Sequence, residues 1–315
     1  MIDSFGRTID YARLSVTELC NLHCVYCRPY EESPPCHSMP LKDITTIVEV
    51  LAKLGVTKYK ITGGEPTLRA DIVEIVSTIK AVKGVKNVTL TTNGLLLDKL
   101  SAPLGQAGLD AINVSLDSLD PNSYRRLTRN GRLEPVLAGL EAAYNARIPV
   151  KINCVPHSSL TEQDLLDLAM VAKERSIHVR FIELMPIGPA GELTGHAPDS
   201  IFAAIERRFG PLTPTTLAYG NGPASYYSLD GFKGLIGFLS ALNSCFCERC
   251  NRIRVTSDGY LKTCLHLDKG KKLNMADKED LEQTILKAVQ QKPKRHLFNT
   301  PDARACDRPM NRIGG

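Results

Sequence analysis

Six of the ten cysteines in this 315-residue chain fall into two groups. Cys20, Cys24 and Cys27 stand in a Cys-x3-Cys-x2-Cys spacing directly after a short β-branched run. Three thiolates that close in sequence can converge on one iron–sulfur cluster. A cubane has four irons, so three cysteines leave one iron without a protein ligand. An open metal position is where substrate chemistry takes place. The alternative is a structural zinc ion, which would want a fourth ligand, with His23 and His37 as candidates. The second group is Cys247, Cys250 and, after 13 further residues, Cys264. It reads either as a second cluster site or as a zinc knuckle with Cys245 as a fourth ligand. If residues 251–254 form a strand, Arg252 and Arg254 point the same way. Two adjacent guanidiniums suit phosphate recognition, and the bland alternative is a solvated basic face.

These groups need a frame. From residue 10 to about 210, β-branched runs at 12–16, 59–62, 88–92, 111–116, 150–155 and 179–184 alternate with runs of helical spacing. The helical runs are 42–54, 71–80, 97–106, 135–145, 162–175 and 199–208. Such alternation predicts a parallel sheet with helical crossovers, either doubly wound or part of a barrel. Buried parallel strands are normally apolar on both faces. Here one face is polar: Arg13 and Ser15 on the first strand, Lys60 and Thr62 on the second. Asn113, Ser115 and Asp117 follow on the fourth, Lys151 and Asn153 on the fifth. Strict period two with one polar face means that face is wet or holds a ligand. An antiparallel sheet with a solvent face would alternate in the same way, but the intervening helices favour a barrel-like sheet with a polar lumen. Beyond 210, prolines, glycines and paired aromatics predict loops and short strands, then a Lys-rich turn at 269–272 and a helix at 278–290.

Composition sets the outer limits. Hydrophobic residues make up 43% and charged residues 23%, an ordinary globular balance. Lys and Arg outnumber Asp and Glu by 39 to 34, a net +5 that suits an anionic small molecule as well as nucleic acid. The first ten residues lack a basic-then-apolar leader, and the most apolar stretch, 234–247, is 14 residues long. Neither a secretory signal nor a membrane span is expected, so the location is read as cytoplasmic. Cytosolic chains seldom form disulfides, so ten cysteines point to metal, redox chemistry or catalysis.

The first cysteine motif, with Tyr26 before its third cysteine and Gly63-Gly64-Glu65-Pro66 at the end of the second strand, resembles the radical S-adenosylmethionine superfamily. Further segments narrow the resemblance to its GTP-cyclising family of molybdenum cofactor biosynthesis. These are Arg13-Leu14-Ser15, Thr91-Thr92-Asn93-Gly94, Val114 to Asp117, Lys151-Ile152-Asn153, Arg180 to Pro186, the second cysteine group with Asn251 to Arg254, and the terminal Gly314-Gly315.

The resemblance implies an α/β fold: an incomplete (β/α)6 TIM-like barrel over 1–210, with a smaller C-terminal cluster-binding region and Gly-Gly tail over 211–315. It implies two [4Fe-4S] clusters, on Cys20, Cys24 and Cys27 and on Cys247, Cys250 and Cys264. Tyr26, Gly64, Ser115 and Met185 would bind S-adenosylmethionine. Arg13, Lys60, Thr91, Lys151, Arg252 and Arg254 would contact GTP, with Arg13, Arg252 and Arg254 also catalytic and Arg180 a further candidate. In the implied reaction a 5′-deoxyadenosyl radical takes the ribose C3′ hydrogen and C3′ then attacks guanine C8. The implied partners are a reducing protein as electron donor, a cyclic pyranopterin monophosphate synthase downstream and a second copy in a homodimer, with no nucleic acid and no membrane. The Gly-Gly tail would enter the lumen as a thin strand. Lys60 stands where many members carry arginine. Cys36, Cys154, Cys245 and Cys306 have no assigned role, Cys154 being expected as a plain buried thiol. The rival readings are a peptide-modifying radical enzyme and a metal-bearing nucleic-acid or redox module.

Overall fold

The structure, a computed structural model, describes residues 1–28, 36–215, 222–242, 246–267, 270–298 and 308–314. Strands and helices alternate from the start. β1 (Tyr11–Ser15) leads to α1 (Leu41–Lys53), β2 (Lys58–Thr62) to α2 (Ile72–Ala81), and β3 (Asn87–Thr92) to α3 (Leu97–Gln106). β4 (Ala111–Ser115) is followed by two helices, α4 (Pro121–Thr128) and α5 (Leu133–Asn145). β5 (Val150–Cys154), α6 (Glu162–Glu174), β6 (His178–Ile182) and α7 (Pro198–Phe209) complete the sixth unit. All five neighbouring pairs from β1 to β6 are parallel, as the alternation predicts.

The remaining strands join both edges of this sheet. β10 (Arg252–Val255) lies parallel to β1, and β9 (Ile236–Leu239) lies parallel to β6. β11 (Tyr260–Lys262) and β12 (Lys271–Lys272) extend the first edge, β8 (Ser225–Ser228) and β7 (Thr213–Pro214) the second, all antiparallel. Eight parallel strands in the order β10-β1-β2-β3-β4-β5-β6-β9 thus form the wall, six carrying crossover helices and two contributed from beyond residue 210. The wall is an open barrel, with no pairing between β9 and β10.

The alternating apolar face builds the core under the helices. Ala12, Leu14, Tyr59, Ile61, Val88, Leu90, Ile112, Val114 and Ile152 are buried, packed by Ile44, Ile47, Leu51, Ile75, Ile79 and Val136 from the helices. Each such aliphatic side chain contributes roughly 1.5–3 kcal/mol on burial. Tyr59 satisfies its hydroxyl on the Val48 and Val56 carbonyls, both at 3.2 Å. α4 was not foreseen. Its sequence is strongly polar, but Asp120 caps it by accepting from Ser123 N at 2.7 Å and Pro121 occupies the first turn.

α8 (Lys278–Gln290) packs on α1, with surface ion pairs Lys53–Glu282 and Lys278–Glu49. The tail closes with a helical turn, α9 (Met310–Ile313), so the thin strand expected there is replaced by a turn whose last described residue is Gly314. Gly315 lies outside the described residues. No helix among the described residues is long and apolar enough to cross a membrane.

Candidate active site

The polar face of each strand turns into the barrel, and there the sequence has concentrated cations. Arg13 is in register with Lys60 on one side and Arg254 on the other. Asn113 is in register with Lys151, and Asn153 with Arg180. A cavity of about 130 Å³ is lined by Arg13, Lys60, Lys151, Arg180 and Arg252, with Thr89, Asn113 and Asn153 among the polar neighbours. No carboxylate lines it among the described residues. Arg180 is the best fixed of the cations. It donates to Asn153 Oδ1 at 2.9 Å from Nε and to Asn113 Oδ1 at 2.5 Å from Nη2. Lys151 lies over the Tyr226 ring, 5.7 Å from its centroid. Arg252 stacks over Phe246 at 4.9 Å and Tyr11 at 6.0 Å.

Burial of so many like charges moves their acid constants. Burial, then Arg180, Arg13, Lys151 and Arg252, hold the Lys60 ammonium well below its ordinary range. Burial and Arg180 bring Lys151 down to about 8. Burial, Arg13 and Arg252 push Arg254 the same way. Three buried polar atoms on this face, Ser15 Oγ, Thr91 Oγ1 and Arg252 Nε, have no hydrogen-bond partner among the described residues. Buried donors cost free energy until they are paired, so the face suits an acceptor-rich anion.

At the strands' C-terminal ends the chain folds the first cysteine loop over the lumen. Main-chain bonds Cys27 N→Cys24 O at 2.9 Å and Arg28 N→Cys24 O at 3.2 Å turn it back on itself. Burial raises all three thiols: Cys20 to about 11, Cys27 to about 12, and Cys24 well above its ordinary value. The cysteines also raise one another, which places the three sulfurs in one electrostatic neighbourhood. No three His, Cys, Asp or Glu side chains among the described residues are gathered round one metal ion. Tetrahedral zinc, at about 2.3 Å per sulfur, would need its ligands within about 4 Å of each other. Three thiols that raise one another's acid constants, with no fourth cysteine on the described part of the loop, match in number the donor set that a cubane with one open iron would need.

Gly64 has a different reason from the one the sequence suggested. A Cβ there would meet Leu19 O at 2.3 Å and Glu18 O at 2.5 Å, and one on Gly63 would meet Thr17 O at 2.5 Å. The glycines let the β2 end press against the backbone that carries Cys20, joined by Gly64 N→Thr17 O at 2.7 Å and Glu65 N→Leu19 O at 2.6 Å. The close approach is protein to protein before it is protein to ligand.

Two carboxylates brace this end, and the sequence reading gave neither a role. Glu65 is 1% exposed and accepts from Thr67 N at 3.0 Å, Thr92 Oγ1 at 2.7 Å and Asn93 N at 2.6 Å. Asn93 Nδ2 in turn donates to Asn21 Oδ1 at 2.8 Å, tying the β3 end to the cysteine loop. Asp117 accepts from Val155 N at 2.8 Å and from the Tyr26 hydroxyl at 2.9 Å. Burial raises its acid constant to about 6. Tyr26 also packs on His157, ring centroids 5.7 Å apart, so its ring is fixed beside Cys27. Asp117 was findable, since it continues the polar alternation of Asn113 and Ser115. Glu65 carries no such periodic signal.

The second cysteine group lies at the other side of the same space. A second cavity, also about 130 Å³, is lined by Cys247, Cys264, Arg252, Arg254, Phe246 and Met185 among others, and shares Arg13 and Arg252 with the first. Met185, expected beside S-adenosylmethionine, therefore packs with Ile187, Leu265, Phe298, Met310 and Ile313 where this cavity and the tail meet. Arg7, 7% exposed, ties the loop to the N-terminus. It pairs with Asp3 at 2.6 Å and donates to Cys247 O at 2.8 Å and Pro293 O at 2.8 Å. His266 Nδ1 stands 3.0 Å from Cys264 Sγ. Lys292, 2% exposed, donates to the Arg252 carbonyl at 3.0 Å and to the Thr263 carbonyl. Burial alone would raise Cys250, but Lys292 and Arg252 outweigh it and the thiol is lowered.

Gly314 reaches both ends. Arg254 Nη1 donates to its carbonyl at 2.6 Å, and a Cβ there would stand 2.8 Å from Thr62 Oγ1 and 2.9 Å from Ser15 Cβ. Met310 N donates to Cys27 O at 3.1 Å. Of the spare cysteines, Cys154 is fully buried and Cys36 is exposed, while Cys245 and Cys306 fall outside the described residues.

Comparison with known proteins identifies the family. Residues 14–172 match the Radical SAM superfamily and residues 177–298 match the family described as Molybdenum Cofactor Synthesis C. The GTP 3′,8-cyclase of Clostridium perfringens strain 13 is 39% identical over 325 aligned positions, covering all of both chains. Those of Desulforamulus reducens and Thermodesulfovibrio yellowstonii are 38% and 40% identical, again over the full length of both. Among solved structures, SuiB of Streptococcus suis bound to S-adenosylmethionine covers 89% of this chain and 66% of its own, at 17% identity and a TM-score of 0.67. SuiB bound to its precursor peptide SuiA covers 96% and 75%, at 15% identity and 0.68. That likeness speaks for the fold. The full-length relatives and the two matched families go further: this chain belongs to the GTP 3′,8-cyclase family of the radical S-adenosylmethionine superfamily.

Proposed function

We infer that this protein converts GTP to (8S)-3′,8-cyclo-7,8-dihydroguanosine 5′-triphosphate, an early step of molybdenum cofactor biosynthesis. The observation that carries the reading is the lumen itself. Arg13, Lys60, Lys151, Arg180 and Arg252 line one cavity, and Arg13, Arg252 and Arg254 line a second beside Cys247 and Cys264, with no carboxylate among the described lining residues of either. A nucleoside triphosphate carries roughly the opposite charge, and buried charges need such pairing.

Cys20, Cys24 and Cys27 hold the first [4Fe-4S] cluster in this reading. Cys247, Cys250 and Cys264 hold a second. When bound, the first cluster and S-adenosylmethionine supply a 5′-deoxyadenosyl radical able to abstract hydrogen from an unactivated carbon. The protein's own contribution is placement. Tyr26, fixed by Asp117 and His157, forms with Gly64, Ser115 and Met185 the S-adenosylmethionine site. Arg13, Lys60, Thr91 and Lys151 hold the triphosphate and ribose from the strand ends. Arg252 and Arg254, on the same face of β10, would hold the nucleotide between the two cysteine groups. Electrons come from a reducing protein, and the product passes to a separate cyclic pyranopterin monophosphate synthase. The working unit is read as a homodimer, to be tested by light scattering.

Anaerobic reconstitution with S-adenosylmethionine, dithionite and GTP tests the assignment. About eight irons per chain, with GTP-dependent 5′-deoxyadenosine and a cyclised nucleotide, are expected. About four irons, or cofactor cleavage indifferent to GTP, would remove the second cluster or the substrate from this reading. Arg252→Ala should weaken GTP binding about tenfold or more while leaving S-adenosylmethionine cleavage at saturating GTP intact. Unchanged GTP affinity would count against the lumen assignment.

A further inference from the structure

An open concavity of about 520 Å³ lies outside the lumen, lined by Asn122, Arg125, Arg126, Arg129 and Asn130. No acidic residue lines it among the described residues. Arg125 and Arg126 are exposed on the last turn of α4, and Arg129 and Asn130 follow with φ of 52° and 87°. This left-handed exit folds the chain back under the helix, where Gly131 is required: a Cβ there would stand 2.4 Å from Thr128 Oγ1 and 2.9 Å from Leu22. The helix end is also welded to the first cysteine loop. His23 N donates to Thr128 O at 3.2 Å and Val25 N donates to Leu127 O at 3.0 Å. Cys24 is the residue between those two amides. A basic, concave patch of outer surface therefore sits one main-chain hydrogen bond away from the residues flanking a cluster ligand.

The geometry points to this face as the docking surface for an acidic one-electron carrier protein that reduces the first cluster. This rests on the reading of Cys20, Cys24 and Cys27 as a cluster site. Radical generation consumes one electron per event: the carrier is oxidised by one electron and the cluster gains it. The cavities of the lumen, about 130 Å³ each, are far too small to admit a protein, so a protein donor must approach from outside. Clustered arginines steer an anionic partner and fix its orientation, and such pairs are salt-dependent. A surface coupled to the cysteine loop by main-chain bonds gives a docked carrier a short route.

Reduced flavodoxin serves as the probe, with R125E/R126E as the variant and R125Q/R126Q as its milder companion. Neither residue contacts the lumen. Titration of oxidised flavodoxin into wild-type holoenzyme should show binding that weakens steeply with salt. The charge-reversed variant should bind about tenfold more weakly with a flatter salt dependence, and the glutamine variant should fall between. Iron content and 5′-deoxyadenosine formation driven by dithionite should match wild type, while flavodoxin-driven formation falls. Equal flavodoxin affinity in wild type and variant overturns the proposal. So does an equal loss with dithionite, which would make the arginines structural, and so does loss of RNA binding with flavodoxin affinity unchanged. If dithionite yields no 5′-deoxyadenosine even in wild type, the cluster reading fails on its own, and the flavodoxin titration still decides the surface.

Discussion

The two cysteine triads sit at opposite sides of one lumen and are built in opposite electrostatic senses. Around Cys20, Cys24 and Cys27 the bracing groups are carboxylates, Glu65 and Asp117, and burial lifts every thiol. Around Cys250 the bracing groups are cations, Lys292 and Arg252, which draw the thiol down in spite of its burial. A thiolate must form before it can ligate iron. On the proposed reading the first site would release protons from reluctant thiols when loaded, whereas the second has part of that charge already stabilised at Cys250. The same sheet provides both settings, because Glu65 follows the end of β2 and Asp117 the end of β4, while β10 brings arginine to the opposite side.

The largest expected contrast is chemical. In protein stripped of iron by chelation, pulsed iodoacetamide at pH 8 should label Cys250 well ahead of Cys27, because burial raises the Cys27 thiol while Lys292 and Arg252 lower that of Cys250. Comparable rates, read by peptide mass spectrometry, would erase the distinction between the sites. Gly64→Ala comes next. Its Cβ would collide with the Leu19 and Glu18 carbonyls. It should cost about 3–5 kcal/mol and halve the iron bound by loosening only the first loop. Loss of all iron would mean that the two sites do not fold independently.

Asp117 gives a pH signature. Its carboxyl is raised by burial from 3.8 to about 6 in the fold, so the folded chain holds this proton more tightly than the unfolded one. Its stabilising contribution is complete below pH 4 and is lost as pH rises through 6. The loss amounts to about 3 kcal/mol. Denaturant titrations of Asp117→Asn should show a flatter profile between pH 4 and 6 than wild type. Glu65 is raised in the same direction, so the flattening is partial. An unchanged slope would mean Asp117 is solvated. The smallest effect is expected from Lys292→Met, which leaves the Arg252 and Thr263 carbonyls without their donor. It should cost about 2 kcal/mol and slow Cys250 labelling several-fold, with first-site thiols unaffected.

Much of this was legible in the sequence for a physical reason. Period two is enforced by the strand itself, so Arg13, Lys60, Lys151 and Arg254 declared a shared polar face before any fold was known. The cysteine spacings declared their loops in the same local way. What was hidden depends on distant partners. Nothing within residues 236–239 announces that this strand pairs with β6, or that 252–255 pairs with β1. α4 was masked because its apolar stripe is only two side chains, Tyr124 and Leu127, in an otherwise polar sequence, and its cap at Asp120 reads equally well as a turn. Gly63 and Gly64 were seen, but their reason lies in the Thr17 to Leu19 backbone, close only in space.

The pairing of β1 with β10 also sets an order of assembly. Tyr11 and Arg252 are register partners 241 residues apart in sequence. During synthesis at about 5–20 residues per second, β1 waits roughly 10–50 s with one edge unpaired. Through that interval the first cysteine loop already has its strand, while the opposite wall does not exist. The nascent chain thus carries a long-lived open sheet edge, a template for mispairing with other chains. Slow, high-contact-order closure is expected to make yield in the cell depend on chaperone supply and on growth temperature more than on the stability of the finished barrel.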